Sequence, residues 1–251
     1  MELSAADKKI FKKLGRAIRH YELIEGGERI AVAVSGGKDS LSLLWLLRER
    51  LRWIPQPYEL IAVHLDMGFA GSRPEAIEAF CRMLEIPFHL EQTDYGVQAH
   101  GPENRENPCF LCARLRRRRL FEMAHALGCS KLALGHNQDD IIETFFLNIF
   151  FGGQISTMVP RQVLFKGALT LIRPLALLGE QEIKGLVQRK AWPKIINPCP
   201  SAGRSSRQEV KKLLEEGYAL NPKIKGNIFN ALSNVRTDYL LPPVPRGKRR
   251  T

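Results

Sequence analysis

The hexapeptide SGGKDS at residues 35–40 combines the residue types that bind phosphate groups. Its two glycines allow positive φ and a close approach of the backbone, its serines offer hydroxyl groups, and its lysine adds a positive charge. An apolar run precedes it and a helix-like run follows, so its backbone N–H groups should converge at a helix N-terminus. The spacing of the glycines differs from that of a Walker A loop. The predicted phosphate-binding residues are Ser35, Gly36, Gly37, Lys38, Asp39 and Ser40.

Two further polar segments also follow predicted strands. Asp66 ends the run ELIAVHLD, and the segment GHNQDD at residues 135–140 follows the run KLAL. Open α/β sheets bind ligands at the carboxyl ends of their strands, so we predict a nucleotide site that includes Asp66, Gly135 and His136. A packed core histidine is the alternative for His136. The predicted catalytic or metal-positioning residues are Lys38, Asp39, Asp139 and Asp140, although aspartates are also favoured in the first turn of any helix.

Three cysteines have a spacing that suggests metal or sulfur chemistry. Cys109 and Cys112 form a CxxC pair at the start of a predicted helix, and Cys199 follows in the proline-containing sequence NPCP. Three thiolates fit an iron-sulfur cluster in which one iron is not bound by the protein. A CxxC redox pair and a structural zinc completed by a histidine are the alternatives. Cys81 and Cys129 are expected to be buried structural residues.

The helix predicted after the CxxC pair is unusually basic, with five arginines within residues 114–119. A solvated charged helix is one interpretation, but such a density of guanidinium groups beside the cysteines also suits contacts with RNA phosphates. The predicted nucleic-acid contacts are Arg114, Arg116, Arg117 and Arg119. The lysines of the N-terminal helix could extend that surface.

The elements that must position these residues alternate between strands and helices. Strands are predicted over residues 29–34, 59–66, 87–92 and 131–136, each followed by a helix-like stretch or a polar segment that leads to one. Such an alternation predicts an α/β fold with a doubly wound, mostly parallel sheet and helical N- and C-terminal extensions. We divide the chain into an N-terminal helix (1–25), a catalytic domain (26–200) and a helical C-terminal extension with a basic tail (201–251).

Composition limits the classes of protein and partner. Lysine and arginine number 38 against 26 acidic residues, and the net charge of +12 favours polyanionic partners. No apolar run is long enough to span a bilayer, so no membrane partner is expected. The N-terminus lacks the features of a secretory signal, and we expect a cytoplasmic location. Five cysteines in such a protein argue against a disulfide framework.

SGGKDS after an apolar strand, together with GHNQDD, resembles the PP-loop ATP pyrophosphatase family. The sequence CFLCARLRRRRLFEMAHALGCSKLALGHNQDD, the later Arg173-Pro174-Leu175 and the single Cys199 resemble its tRNA 2-thiocytidine synthetase-like branch. The resemblance implies an adenine nucleotide alpha hydrolase-like fold, ATP and Mg²⁺, and an enzyme that adenylates a tRNA base before sulfur replaces the base oxygen. It also implies a [4Fe-4S] cluster on Cys109, Cys112 and Cys199.

The same resemblance implies the partners: tRNA, a sulfur donor that is sulfide or a cysteine desulfurase, and a second copy in a homodimer. The sequence PSAGRSS after Cys199 lacks a second cysteine that many members carry. A cluster-free PP-loop ligase of the tRNA-Ile lysidine synthase type is one alternative. A non-catalytic ATP-binding module is another, and a persulfide route would replace the cluster if the cysteines held zinc.

Overall fold

The computed structural model describes residues 3–195, 198–201, 203 and 206–242. The chain forms two compact units, Met1–Val210 and Lys211–Thr251. Asn197 of the predicted NPCP loop and the predicted basic tail after Pro242 lie outside the described residues. No helix among those described is both long and apolar enough to cross a membrane.

The first unit is built on a mostly parallel sheet. Within the described residues, the sheet has six strands in the order β3-β2-β1-β4-β6-β5, and only the edge strand β5 runs antiparallel to its neighbour. The order reverses beside β1, since β2 pairs with one edge of β1 and β4 with the other. The predicted doubly wound α/β sheet is therefore confirmed. The strands are β1 (Arg29–Ala33), β2 (Glu59–Asp66), β3 (Phe88–Gln92), β4 (Lys131–Ala133), β5 (Arg161–Leu164) and β6 (Leu169–Ile172).

The helices follow the strands in the manner of a doubly wound fold. They are α1 (Ala5–His20), α2 (Lys38–Arg50), α3 (Pro74–Met83), α4 (Tyr95–His100), α5 (Pro108–Ala126), α6 (Gln138–Gly152), α7 (Glu180–Lys190), α8 (Ser206–Leu220) and α9 (Ile224–Ala231). The sequence pattern predicts a polar stretch over residues 93–108 and a basic helix over residues 112–127. Instead, the short helix α4 lies within that stretch, and α5 begins at Pro108. As a result Cys109 lies within the first turn of α5.

Two apolar cores lie on opposite faces of the sheet. Successive residues of β1 alternate between them, with Ile30 and Val32 in one core and Ala31 in the other. The larger core contains buried residues of α1, α2, α3 and α7, whereas the smaller one contains Leu120 and Met123 of α5. Helix α2, which begins within the phosphate hexapeptide, therefore packs on one face of the sheet and α5 on the other. The sheet fixes the positions of these two helices relative to each other.

Helix α1 packs antiparallel to α7. Asp7 near the start of α1 contacts Arg189 at 2.8 Å near the end of α7, and Lys13 contacts Glu182 at 2.6 Å in the first turn of α7. Burial alone would raise the pKa of Asp7, but hydrogen bonds from Arg189 and Ser4 hold that pKa below its usual value. The carboxylate of Asp7 is buried and also contacts Lys190 at 3.5 Å. Its removal would therefore take an ion-pair partner away from both Arg189 and Lys190.

Candidate active site

The phosphate hexapeptide lies between β1 and α2, where the strand order of the sheet reverses. Gly36 has a φ of +80°, and a Cβ atom there would lie 2.9 Å from Cγ2 of Ile195. Gly37 is the N-cap of α2, so the free N–H groups of the first turn of α2 start at this point. The hydroxyl of Ser40 donates to the carbonyl oxygen of Gly37 at 2.9 Å and thereby braces the loop from within.

The second polar segment is held against the first. A Cβ atom on Gly135 would lie 3.0 Å from the backbone carbon of Asp39 and the backbone nitrogen of Ser40, so only glycine permits this close approach. Asn137 caps α6 by accepting hydrogen bonds from the N–H groups of Asp139 and Asp140. Its side-chain amide also donates to Oδ1 of Asp39 at 3.0 Å. One asparagine therefore connects the two loops.

Charged side chains hold the start of α2 in place. Lys38 contacts Asp39 at 2.7 Å and Glu180 at 3.2 Å. Burial would lower the pKa of Lys38, but these two carboxylates raise it above the usual value. The backbone N–H of Glu180 in turn donates to Oδ2 of Asp139 at 2.6 Å. The first turns of α2, α6 and α7 thus meet at the carboxyl edge of the sheet.

Asp140 faces the same cleft and is largely buried. Burial raises the pKa of Asp140, while the N–H of Asn137 and the charge of Arg207 oppose that rise. Arg207 donates to Oδ1 of Asp140 at 3.2 Å and also contacts Glu143 at 3.3 Å. The charge of Asp39 contributes to the raised pKa of Asp140, so two carboxyl groups are neighbours here.

A cleft of about 460 Å³ opens at this edge. Its lining includes Phe69 and Ile77 as well as many of the predicted residues, which gives it an apolar part beside a polar part. The predicted residues in the lining are Ser35, Gly37, Asp39, Ser40, Asp66, Gly135, His136, Asp140, Arg116 and Arg117. Among the described residues, Gly36, Lys38, Asp139, Arg114, Arg119 and the three cysteines are outside that lining.

A strong positive field acts on the cleft. Burial is the main reason why the pKa of His136 falls to about 3, so the imidazole is neutral at pH 7. Four guanidinium groups lower that pKa further: Arg173, Arg207, Arg116 and Arg117. Polyanions are attracted to such a site. The neutral His136 contributes no charge of its own, and its Nδ1 accepts a hydrogen bond from Nε of Arg173 at 3.4 Å.

Cys109 and Cys112 lie in the first two turns of α5, and Cys199 lies close enough for its charge to act on Cys112. Burial raises the pKa of Cys112 most strongly, Arg116 lowers it, and the charges of Cys199 and Cys109 raise it. Cys109 is exposed, and the other two are half-buried. In the described part of the chain, no three donor side chains form a compact group around a single ion.

The loop that carries Cys199 is tied to α4. The Nε2 atom of His100 lies 2.8 Å from the hydroxyl of Ser201, and Nδ1 lies 2.9 Å from the carbonyl oxygen of Gly96. A carbonyl oxygen can only accept, so Nδ1 carries the proton and Nε2 accepts from Ser201. His100 therefore joins the Cys199 loop to the helix that precedes the CxxC pair.

The predicted nucleic-acid arginines divide into two groups. Arg116 and Arg117 face the cleft, whereas Arg114 forms two hydrogen bonds with Glu106, at 2.9 and 3.1 Å. Arg119 is held by Glu91 and by Glu122. The arginines of α5 therefore do not form one uniform surface.

Sequence reasoning missed three residues of this site: Asn137, Glu180 and Arg207. A sequence signal exists for the first, because an asparagine three residues before an aspartate is typical of a helix N-cap. Glu180 and Arg207 act across large sequence separations, on Lys38 and Asp140. No local pattern indicates such contacts.

A model of the PP-loop domain matches residues 6–208. The chain belongs to the PP-loop family. Within it, the chain falls in the tRNA 2-thiocytidine synthetase-like branch: it is 43% identical over 237 residues to the tRNA-cytidine(32) 2-sulfurtransferase of Geobacter sulfurreducens, covering 93% of this chain and 92% of the relative. It is 40% identical over 236 residues to the enzyme of the same name from Bordetella parapertussis, covering 93% of this chain and 74% of that relative.

Solved PP-loop structures share the fold. The U34-tRNA thiolase NcsA from Methanococcus maripaludis with its [4Fe-4S] cluster has a TM-score of 0.74 and 26% identity, covering 93% of this chain and 81% of that chain. The NH3-dependent NAD synthetase of Campylobacter jejuni has a TM-score of 0.51 at 15% identity, covering 96% and 99%, and supports the fold alone. The fold is thus the adenine nucleotide alpha hydrolase-like fold of PP-loop proteins.

Proposed function

We propose that this protein is an ATP-dependent tRNA sulfurtransferase that replaces the C2 oxygen of a cytidine by sulfur, and the names of its relatives point to cytidine 32. The observation that carries the proposal is a shared cleft. Its lining contains the phosphate loop and also Arg116, one turn after Cys112, and Pro198, next to Cys199. An activated base in this cleft would lie near both the nucleotide site and the thiols.

The first step is adenylation. The C2 oxygen of the cytidine forms a bond to the α-phosphorus of ATP, and the bond from that phosphorus to the pyrophosphate oxygen breaks. The N–H groups at the start of α2 and the charge of Lys38 bind phosphate oxygens, and the positive field around His136 stabilises the negative charge that develops. Asp66 and the apolar residues of the cleft are assigned to the nucleoside part of ATP.

Mg²⁺ fits the pair of carboxylates formed by Asp39 and Asp140. Both line the cleft, and Mg²⁺ is commonly held by one or two carboxylates together with substrate phosphates. It would neutralise charge on the leaving pyrophosphate. Asn137 holds both carboxylates in position, through its amide on Asp39 and through the N–H that it donates to Asp140.

The cysteine region fits a [4Fe-4S] cluster with three protein ligands. Thiolates are the donors that such clusters require, and Cys109 and Cys112 lie in the first two turns of α5, with Cys199 close enough for its charge to act on Cys112. When bound, a cluster with one iron free of protein ligands supplies a site for sulfide. In the second step a C–S bond forms at C2 of the adenylated base, the C2–O bond breaks, and AMP leaves, so sulfide suffices without a redox partner.

The sulfur donor and the homodimer belong to the same proposal. We assign free sulfide as the direct donor, because the exposed Cys109 leaves the thiol region open to solvent. A cysteine desulfurase can supply that sulfide only together with a thiol reductant, since it delivers sulfur as a persulfide. A second copy is assigned to the apolar end of α6, where Phe150 and Phe151 are 50% and 65% exposed and Ile155 is 66% exposed. The predicted cytoplasmic location stays a prediction.

The proposal is tested by anaerobic reconstitution followed by a thiolation assay. The protein is assayed for iron, sulfide and zinc, and is then incubated with an unmodified tRNA transcript, ATP, Mg²⁺ and sulfide. We expect 2-thiocytidine in the nuclease digest, equal amounts of AMP and pyrophosphate, and no product from a transcript with uridine at position 32. If a protein that contains zinc and no iron thiolates the tRNA, the cluster mechanism is wrong and a persulfide route takes its place. If thiolation occurs without release of pyrophosphate, the substrate is not adenylated.

A further inference from the structure

One face of α1 carries a row of positive side chains that form no ion pair with an acidic residue among those that the structure describes. At about 100° per residue, the five fall within an arc of about 100° and extend over about 16 Å of the helix. All five are exposed, and within the part of the chain that the structure describes none of them forms a salt bridge. We call this row the α1 ridge; its members are Lys8, Lys9, Lys12, Arg16 and Arg19.

Three of the five arginines of α5, the helix that the sequence favoured as the RNA surface, are paired with carboxylates, whereas Arg116 and Arg117 face the cleft. Arg118 pairs with Glu122 at 2.9 Å, and Arg114 and Arg119 are held by carboxylates as described above. Releasing them to a phosphate would require breaking those contacts. The α1 ridge requires no such exchange, so it offers the more favourable electrostatic contact with a polyanion.

The ridge is attached to the active site through rigid elements. Helix α1 runs antiparallel to α7, and α7 begins at the carboxyl edge of the sheet, where Glu180 contacts Lys38. Lys13 binds the first turn of α7, so Arg16 and Arg19, which follow Lys13, lie at the end of α1 nearest to that edge. The opposite face of α1 is fixed in the core, with Leu14 and Ala17 fully buried.

We propose that the α1 ridge binds the phosphate backbone of the tRNA substrate, away from the base that is modified. The proposal rests on the proposed function and identifies a surface for its macromolecular substrate. A row of this length faces several phosphates, gives affinity without reading sequence, and fixes the orientation of the tRNA over the cleft. A membrane surface is disfavoured, because a helix that lies in a bilayer needs a free apolar face and that of α1 is in the core.

The test compares two triple variants with the same change in net charge. The ridge variant is Lys8→Gln, Lys12→Gln, Arg16→Gln. The control variant is Arg161→Gln, Lys166→Gln, Lys212→Gln, which removes three exposed cations from other surfaces. Binding of the tRNA transcript is measured over a range of salt concentrations. ATP binding, iron content and the thermal midpoint of unfolding are measured for each protein.

For the ridge variant we expect tRNA binding at least about tenfold weaker, and a log-log salt slope smaller by about 2 to 3, since each lost phosphate contact removes about 0.7 to 0.9. The control should keep the wild-type slope, and ATP binding should stay the same in all three. Equal slopes for the ridge and control variants, while the wild type still thiolates tRNA, would overturn the ridge alone. A wild-type protein that binds anionic vesicles through the ridge in preference to tRNA would also overturn the ridge proposal. A wild-type protein that binds no tRNA would overturn both the ridge proposal and the proposed function.

Discussion

The phosphate-binding edge and the cysteine region differ in how firmly their side chains are held before a ligand binds. At the phosphate edge, Asp39 contacts both Lys38 and Asn137, and Asn137 in turn caps α6. In the cysteine region Cys109 is exposed, and one hydrogen bond between side chains, from Ser201 to His100, ties the loop of Cys199 to α4.

The difference corresponds to the ligands that each region must receive. ATP has a fixed polyphosphate shape, so a pre-organised set of donors binds it without reorganisation. A base of a folded tRNA must approach the thiols from outside the protein, which requires an open surface. Changes at the phosphate edge should therefore alter the rate of adenylation, and changes in the cysteine region should alter iron and sulfur chemistry while adenylation persists.

The largest effect is expected from the cysteines. Replacing Cys109, Cys112 or Cys199 by alanine should abolish thiolation and lower the iron content, because a cluster with three protein ligands would lose one of them. ATP binding should remain. The matched controls are Cys81→Ala and Cys129→Ala, both buried away from the cleft, which should keep iron and thiolation. Full thiolation by any variant of the first group would contradict the assignment of that cysteine.

The next effect concerns Lys38. Lys38→Ala should slow pyrophosphate release by on the order of 10²-fold or more, because a charge that stabilises the transition state is removed. Iron content should not change. Lys184→Ala is the matched control, since Lys184 also pairs with Glu180, at 3.3 Å, but lies on α7 and is not part of the phosphate hexapeptide. An equal loss in both variants would mean that Lys38 acts only by holding Glu180.

Local patterns predicted the elements that carry most of the site. Strand β2 has the predicted bounds, and SGGKDS occupies the predicted strand-to-helix turn, because apolar periodicity and glycine positions are local signals. Helix α4 was missed, since its six residues, YGVQAH, show no clear periodicity, and the edge strand β5 was missed because its residues are largely exposed.

Contacts between distant elements could not be predicted in the same way. Arg207 binds Asp140 only because α8 begins beside α6. Arg119 of α5 is held in part by Glu91, which lies on strand β3. A count of arginines predicts a basic helix, but which of them remain available to a nucleic acid depends on the tertiary partners.

Two asparagines that cap helices allow the phosphate edge and the cysteine region to be compared with the same type of substitution. Asn137 caps α6 at the phosphate edge, and Asn107 caps α5 at the cysteines by accepting from the N–H groups of Cys109 and Phe110. Each change to alanine should lower the free energy of unfolding by about 1 kcal/mol through loss of the cap. Asn137→Ala should also slow adenylation about tenfold, because it releases Asp39, whereas Asn107→Ala should leave adenylation unchanged and reduce iron retention. Chemical denaturation measures the stability, a pyrophosphate assay measures adenylation, and iron analysis measures retention of iron. The same changes in adenylation and iron content in both variants would contradict the distinction between the two regions.

The smallest effect is expected from the hydrogen bond that joins the loop of Cys199 to α4. The hydroxyl of Ser201 donates to Nε2 of His100 at 2.8 Å, and a hydrogen bond between neutral groups contributes about 1 kcal/mol, which corresponds to about fivefold in an equilibrium constant. Ser201→Ala should therefore release iron to a chelator up to about fivefold faster, and His100→Gln, which keeps an acceptor, should show a smaller change. Ser156→Ala, which alters another exposed loop, is the control. If iron release is unchanged in Ser201→Ala, then this hydrogen bond does not position Cys199. The fixed φ angles of Pro198 and Pro200 and the other contacts of Cys199 then restrict the backbone sufficiently without it.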